Sequence, residues 1–221
     1  MSKLIYLKIE KDTYKKFQNI HQQLIANSEE SVSHDLGDVL AQISFEVIEQ
    51  VFGEISRSSS HPDQESEKTL QQINDNLQKY MPWSISLFGN ERLIPLVEYL
   101  EKQIFETPNH HFLTFPISND LYTSSLNSLE QICMNNHEFI APAFKSITQI
   151  VDDGVTHLIR EPKKLLNFNF IVDKTLSGVI SLTTQLGYKR IEKLADQLDI
   201  SRSQRAMEHF LSFAREPKQE F

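Results

Sequence analysis

Apolar residues recur along most of this chain at three- and four-residue intervals, the period that lines one face of an α-helix. Tyr14, Phe17, Ile20 and Leu24 form the first such stripe, behind an N-cap at Asp12 or Thr13. A long helix is expected from about Asp35 to Ile55. One of its faces carries Leu36, Leu40, Ile43, Val47 and Val51, and another carries Phe45, Ile48, Phe52 and Ile55. An arc that wide exceeds what one packing partner needs, so this helix is expected either at the centre of a bundle or in a subunit interface. Further stripes fall at Leu70, Ile73 and Leu77, at Leu93, Leu96, Val97, Leu100 and Ile104, from Leu121 to Met134, and from Ile140 to Ile159. Pro82 and Gly89 read as a break around Trp83.

Between Leu165 and Tyr188 only Asp173 and Lys174 are charged, which predicts a deeply buried helix stopped by Gly187. Tyr188 to Leu198 and Ser201 to Arg215 read as two short closing helices. Ile5, Leu7 and Ile9 alternate with Tyr6 and Lys8, the pattern of a short strand. Thr107 to Pro116 reads as an apolar loop packed on the body, and the serine-rich stretch from Ser56 to Asp63 as a linker. The expected fold is all-α: one irregular bundle of about eight helices over 1–221, with a short N-terminal extended segment. The candidate subdomain break lies near 57–66.

Six glycines in 221 residues leave little material for phosphate-binding loops or nucleophile elbows. The single cysteine, Cys133, excludes a disulfide framework and reads as a buried, inert thiol. Charge at Lys8 and Glu10 comes too early for a secretion signal, and no apolar run approaches a membrane span. A reducing, cytoplasmic location with no membrane partner is therefore expected. The net charge of −8 is concentrated in residues 29–67, where ten acids face Arg57 alone. An acidic chain disfavours non-specific nucleic-acid binding, although basic residues cluster near the N-terminus and from Arg160 to Arg205.

Candidate chemistry is sparse. Asp153, His157 and Glu161 share one helical face at four-residue spacing, a legitimate metal-ligand set but also what a solvated stripe looks like. No metal, cofactor or catalytic set is assigned. His110-His111 and Ser60-His61-Pro62-Asp63 place reactive residue types side by side without the convergence that catalysis needs. Near the C-terminus, Ile191 to Leu211 resembles a helix-turn-helix, with Ser201 and Gln204 as a capping box and Arg202, Ser203 and Arg205 facing DNA. The Ile5–Ile9 strand with the two helices after it resembles a ribbon-helix-helix unit, in which Tyr6 and Lys8 would enter the groove. Arg202 and His209, with six residues between them, resemble the Arg-His pair of all-helical ribonucleases.

The leading expectation is a non-enzymatic cytoplasmic binding or regulatory protein acting through helix-to-helix contact as a homodimer or with a protein partner. Phe45, Ile48, Phe52 and Ile55 would supply its surface. A small-molecule pocket between helices is carried with it, for which Phe112, Phe115, Phe168 and Phe170 are candidate lining residues. A DNA-binding regulator and a ribonuclease built on Arg202 and His209 are the second and third expectations.

Overall fold

The alternation of Ile5, Leu7 and Ile9 builds the strand it predicts. In a computed structural model describing residues 2–53 and 64–217, β1 spans Lys3–Ile9. Two short strands and one long one complete an antiparallel sheet in the order β2-β3-β1-β4: β2 is Ile104–Glu106, β3 is His111–Ile117 and β4 is Ala214–Arg215. β1 pairs with β3 along its whole length, Lys3 opposite Ile117 and Ile9 opposite His111. The loop expected over Thr107 to Pro116 is thus corrected: from His111 onward it is the central strand, with Leu113, Phe115 and Ile117 buried on alternate positions. Pro116 is compatible with that strand because β2 reaches only as far as Leu113, leaving β3 an edge strand on its outer side at the proline.

The rest is a multi-helix bundle, as the stripes predict. Its helices are α1 (Lys11–Ile25), α2 (Ser33–Ile48), α3 (Gln64–Ile85), α4 (Asn90–Glu101), α5 (Asn119–Cys133), α6 (Ile140–Val155), α7 (Glu161–Leu165), α8 (Phe170–Gln197) and α9 (Ile200–Leu211). Two of them pass into π-helical turns, α2 at Glu49–Gly53 and α6 at Thr156–Arg160. Asparagines do much of the work of ending helices. Asn27, Asn135 and Asn167 adopt left-handed φ values of 51°, 62° and 47° just past α1, α5 and α7, where a short amide side chain tolerates that conformation. Gly187, expected as a stop, lies inside α8, which runs unbroken to Gln197. Pro82 and Trp83, expected at a break, lie inside α3.

Two apolar clusters cover the same side of the sheet. One joins Ile5, Leu7, Phe115 and Ile117 to α5, α6, α9 and the C-terminal half of α8. The other joins Ile9 and Leu113 to α1, α2 and α4. α2 and α3 cross closely at Gly37, where an added β-carbon would stand 2.4 Å from Pro82 Cα. The deeply buried helix expected from Leu165 to Tyr188 is corrected: α8 begins at Phe170 and leaves Phe170, Ile171 and Leu182 largely exposed.

The crossing yields a paired prediction. Gly37→Ala drives a methyl into the Pro82 backbone and should lower stability by about 1–3 kcal/mol. Gly178→Ala, which meets nothing within 4 Å, should raise stability by up to about 1 kcal/mol through helix propensity alone. Urea midpoints of the two variants against the parent check both signs.

Candidate functional site

The two clusters do not merge. Between them lies an apolar cavity of about 280 Å³. Its floor is the sheet, through Ile5, Leu7, Leu113 and Phe115. Its walls are α2 with Ile43, Val47 and Ile48, α3 with Ile73, Leu77, Tyr80 and Met81, α6 with Val151 and Val155, and α8 with Leu176, Val179 and Ile180. Among the described residues no aspartate, glutamate, histidine or cysteine lines it. Lys163 is the one charged lining residue among those described, and Ser44, Asn76, Ser84, Thr183 and Thr184 supply small polar groups.

Both π turns contribute to the wall, Val51 and Phe52 from one and Leu158 and Ile159 from the other. A π turn widens the helix by one residue and disturbs its ladder of backbone bonds, a feature frequent at functional sites. Each of these turns has a carbonyl met by a side chain from another helix. His209 Nε2–H donates to the Gln50 carbonyl at 2.8 Å, and the Tyr99 hydroxyl lies 2.9 Å from the His157 carbonyl and 3.1 Å from Glu161 Oε2. Gln50 itself accepts the Lys8 N–H at 2.8 Å and donates to the Lys8 carbonyl at 2.6 Å, pairing the stretch of β1 that β4 does not reach. Glu46 fixes the same wall to the start of α1 by accepting from Glu10 N–H and the Thr13 hydroxyl.

Tyr188 stands at one side of the cavity and also lines a polar recess with Ser118, Asp120, Ser124, Thr148, Asp152 and Asp153. Its hydroxyl donates to Asp152 Oδ1 at 2.6 Å, and Arg160 bonds the same oxygen at 2.7 Å. Burial and the neighbouring carboxylate push the Tyr188 phenol up to about 12. For Asp152, burial acts to raise the carboxyl, but the bonds from Tyr188 and Arg160 together outweigh it and leave the group below its ordinary range. Asp153 is pushed up, chiefly by burial, against the pull of His157.

Ile48 and Phe52 of the expected interaction surface line the cavity, Phe45 is half-buried, and Ile55 lies outside the described residues, as do Ser60 to Asp63 and positions 57–63 of the candidate break. The breadth of the apolar arc on α2 is therefore accounted for by two clusters and a cavity. Of the four phenylalanines, Phe115 and Phe168 line the cavity. Phe112 packs edge-to-face on Tyr6 with ring centroids 6.1 Å apart, and Phe170 is 80% exposed.

The DNA-facing set is divided. Arg205 is exposed, and Arg202 pairs with Asp199 at 3.5 Å. Ser203 is fully buried against the core, which corrects its expected place on a groove-facing surface. Asp199, rather than Ser201, caps α9 by accepting the Arg202 N–H. Tyr6 is buried and β1 is paired on both sides within the chain, so the ribbon-helix-helix resemblance does not carry into the fold. His209 holds a π-turn carbonyl two helical turns from Arg202, with its Nε2 committed as a donor rather than free as a base. The π turn also interrupts the even spacing of Asp153, His157 and Glu161; His157 Nδ1 lies 3.4 Å from Glu161 Oε2. His111 stacks on Tyr14 with ring centroids 3.9 Å apart, and Cys133 is exposed rather than buried.

Two features of the site escaped sequence reading. The π turns carry no composition signal. The α8 wall was visible only as a helix with too few charges. Compared with known proteins, the chain matches no family model, no curated protein and no solved structure.

The lowered Asp152 carboxyl makes an acid-side prediction. Its contribution to stability is fully present above the ordinary aspartate value near 3.8 and is lost as pH falls through the lower folded value. Asp152→Asn should therefore show a smaller drop in urea midpoint than the parent between about pH 5 and pH 2.

Proposed function

We propose that this protein is a non-enzymatic, cytoplasmic binding protein that holds an apolar small molecule in the cavity between its two core clusters. The observation that carries this reading is the cavity itself. Its volume is about 280 Å³, near the lower end of the roughly 300–1,000 Å³ typical of small-molecule sites. Apolar side chains that line such a space lack partner atoms on one side, and a bound apolar molecule would supply them.

The lining favours binding over chemistry. It offers no nucleophile-base pair and no metal-ligand set among the described residues, only a few hydroxyls, one amide and Lys163. Those groups are engaged at the edges: Asn76 Nδ2 donates to Thr183 Oγ1 at 3.2 Å, and Lys163 is held by Asp173 and Ser177. The ligand class that fits is a hydrocarbon-rich molecule with few polar groups. Among the described residues no helix is long and apolar enough to cross a membrane.

Nile red fluorescence tests the reading. Saturable enhancement is expected with the parent protein. Val155→Phe combined with Val179→Phe, which fills the cavity from two walls, should weaken binding by about tenfold or more, about 1.4 kcal/mol, while the melting temperature holds or rises. Unsaturable dye binding, or equal affinity in the filled variant, would remove the proposal. Organic extraction of the purified protein followed by mass spectrometry should release a co-purifying apolar compound from the parent and less from the variant.

A further inference from the structure

The cavity wall continues onto an exposed tip at residues 163–174, and the geometry points to that tip as a docking site for an anionic lipid bilayer. Phe170 and Ile171, at 80% and 77% exposure, are the most exposed of the large apolar side chains described, and Leu165 lies nearby in the chain, also exposed. They are not on a slack loop. Arg92 reaches across from α4 to bond the Leu166 carbonyl at 2.5 Å and the Asn167 carbonyl at 3.0 Å, and its guanidinium stacks on Phe88. Phe88 packs edge-to-face on Phe168, and the Asn169 side chain caps α8 by accepting the Val172 N–H. Two bulky apolar groups are thus held out in water on a braced turn.

Charge selects the partner. The chain as a whole carries −8, yet residues 163–174 hold Lys163, Lys164 and Lys174 against Asp173 alone. Lys163 and Asp173 pair at 2.7 Å, which leaves Lys164 and Lys174 exposed, Lys174 about one turn along α8 from Phe170 and Ile171. Arg92 and its chain neighbour Glu91 offset one another, and the segment 163–174 itself carries three lysines against one aspartate. Exposed apolar side chains flanked by lysines match the layered chemistry of an anionic bilayer surface, acyl chains beneath negative headgroups. A second copy meeting this one through the same tip would set Lys164 and Lys174 against their like-charged counterparts, whereas anionic headgroups complement them.

Position links the tip to the cavity, and this link rests on the proposed ligand reading. Lys163, Leu166 and Phe168 belong to the same segment and line the cavity, so a bilayer touching Phe170 and Ile171 would lie next to that wall. Docking would then load or unload an apolar ligand without its crossing open water. The contact is peripheral and requires no spanning helix.

Sedimentation with vesicles of phosphatidylcholine alone, or of phosphatidylcholine mixed with phosphatidylglycerol, tests the docking on the full chain. The parent should bind the anionic vesicles and hardly the neutral ones. Phe170→Ser with Ile171→Ser should lower that partition by about tenfold or more, and each of Lys164→Gln and Lys174→Gln by about fivefold, with the lysine effects shrinking as salt rises. Because both apolar side chains are already solvated, the serine variant should fold and keep the parent's Nile red affinity, while dye transfer from anionic vesicles slows. Absence of vesicle binding by the parent, binding unchanged in the variants, or a dimer in light scattering that the serine variant disperses would each overturn the inference. Vesicle binding without saturable dye binding would instead sink the cavity reading and leave the docking standing.

Discussion

One side of a four-stranded sheet has to be covered by two groups of helices, and the geometry of that cover governs the rest of the molecule. Leu113 and Ile9 anchor one group; Ile5, Leu7, Phe115 and Ile117 anchor the other. Side chains from the two groups meet only in part, with Val47 and Leu158 packing on both. A tight interior would close such a gap, since protein cores pack as densely as organic crystals. Here the helices on either side are instead widened by π turns at the level of the gap, and each turn has a carbonyl engaged by a side chain from another helix. The separation is built into the backbone and does not depend on a few short side chains.

The remaining wall, α8, is attached differently. Its apolar composition serves a cavity on one side and an exposed surface on the other, with only Leu176, Ile191 and Leu194 as buried apolar anchors. Polar contacts hold its length. Lys163 grips the first turns through Asp173 and Ser177, Asn76 meets Thr183 near the middle, and Arg190 reaches Ser66 at 2.5 Å and Glu65 at 3.5 Å near the end. Arg190 is nearly fully buried, and desolvation pulls its guanidinium below its usual value. Removing one partner of a buried charge is costly, so the C-terminal half of α8 is tied to α3 more firmly than its sparse apolar contact suggests.

Helix positions were legible because their signal is local. Tyr14 to Leu24, Leu121 to Met134 and Ile140 to Ile159 each carry a face that repeats within a few residues, and each became a helix within a few residues of the expected ends. What failed was decided by distant partners. His111 to Ile117 is a central strand because β1, more than a hundred residues earlier, lies beside it. Pro82 lies inside α3, and the close approach of Gly37 to its backbone involves a helix some forty residues earlier. The wide arc on α2 shows in the sequence, but nothing in Ile48 or Phe52 states whether such surface meets a partner or a void within the same chain. One helix end misled: Gly187, read as a stop, lies inside α8, while the left-handed residues just past α1, α5 and α7 are asparagines.

The place of β1 in the sheet also constrains how the molecule is made. Its pairing partners are β3, at residues 111–117, and β4, at residues 214–215, so its two edges are filled by segments that leave the ribosome long after it does. Until then an apolar strand with open edges would wait among helices that can already form from local contacts. Pairings of that sequence separation slow folding and leave strand edges open to association with other chains. Gln50 and Glu46, which bond the Lys8 and Glu10 backbone from only some forty residues away, are available much earlier. Their separation from β1 along the chain is well under half that of either strand pairing, so of the contacts β1 makes these close the shorter loops.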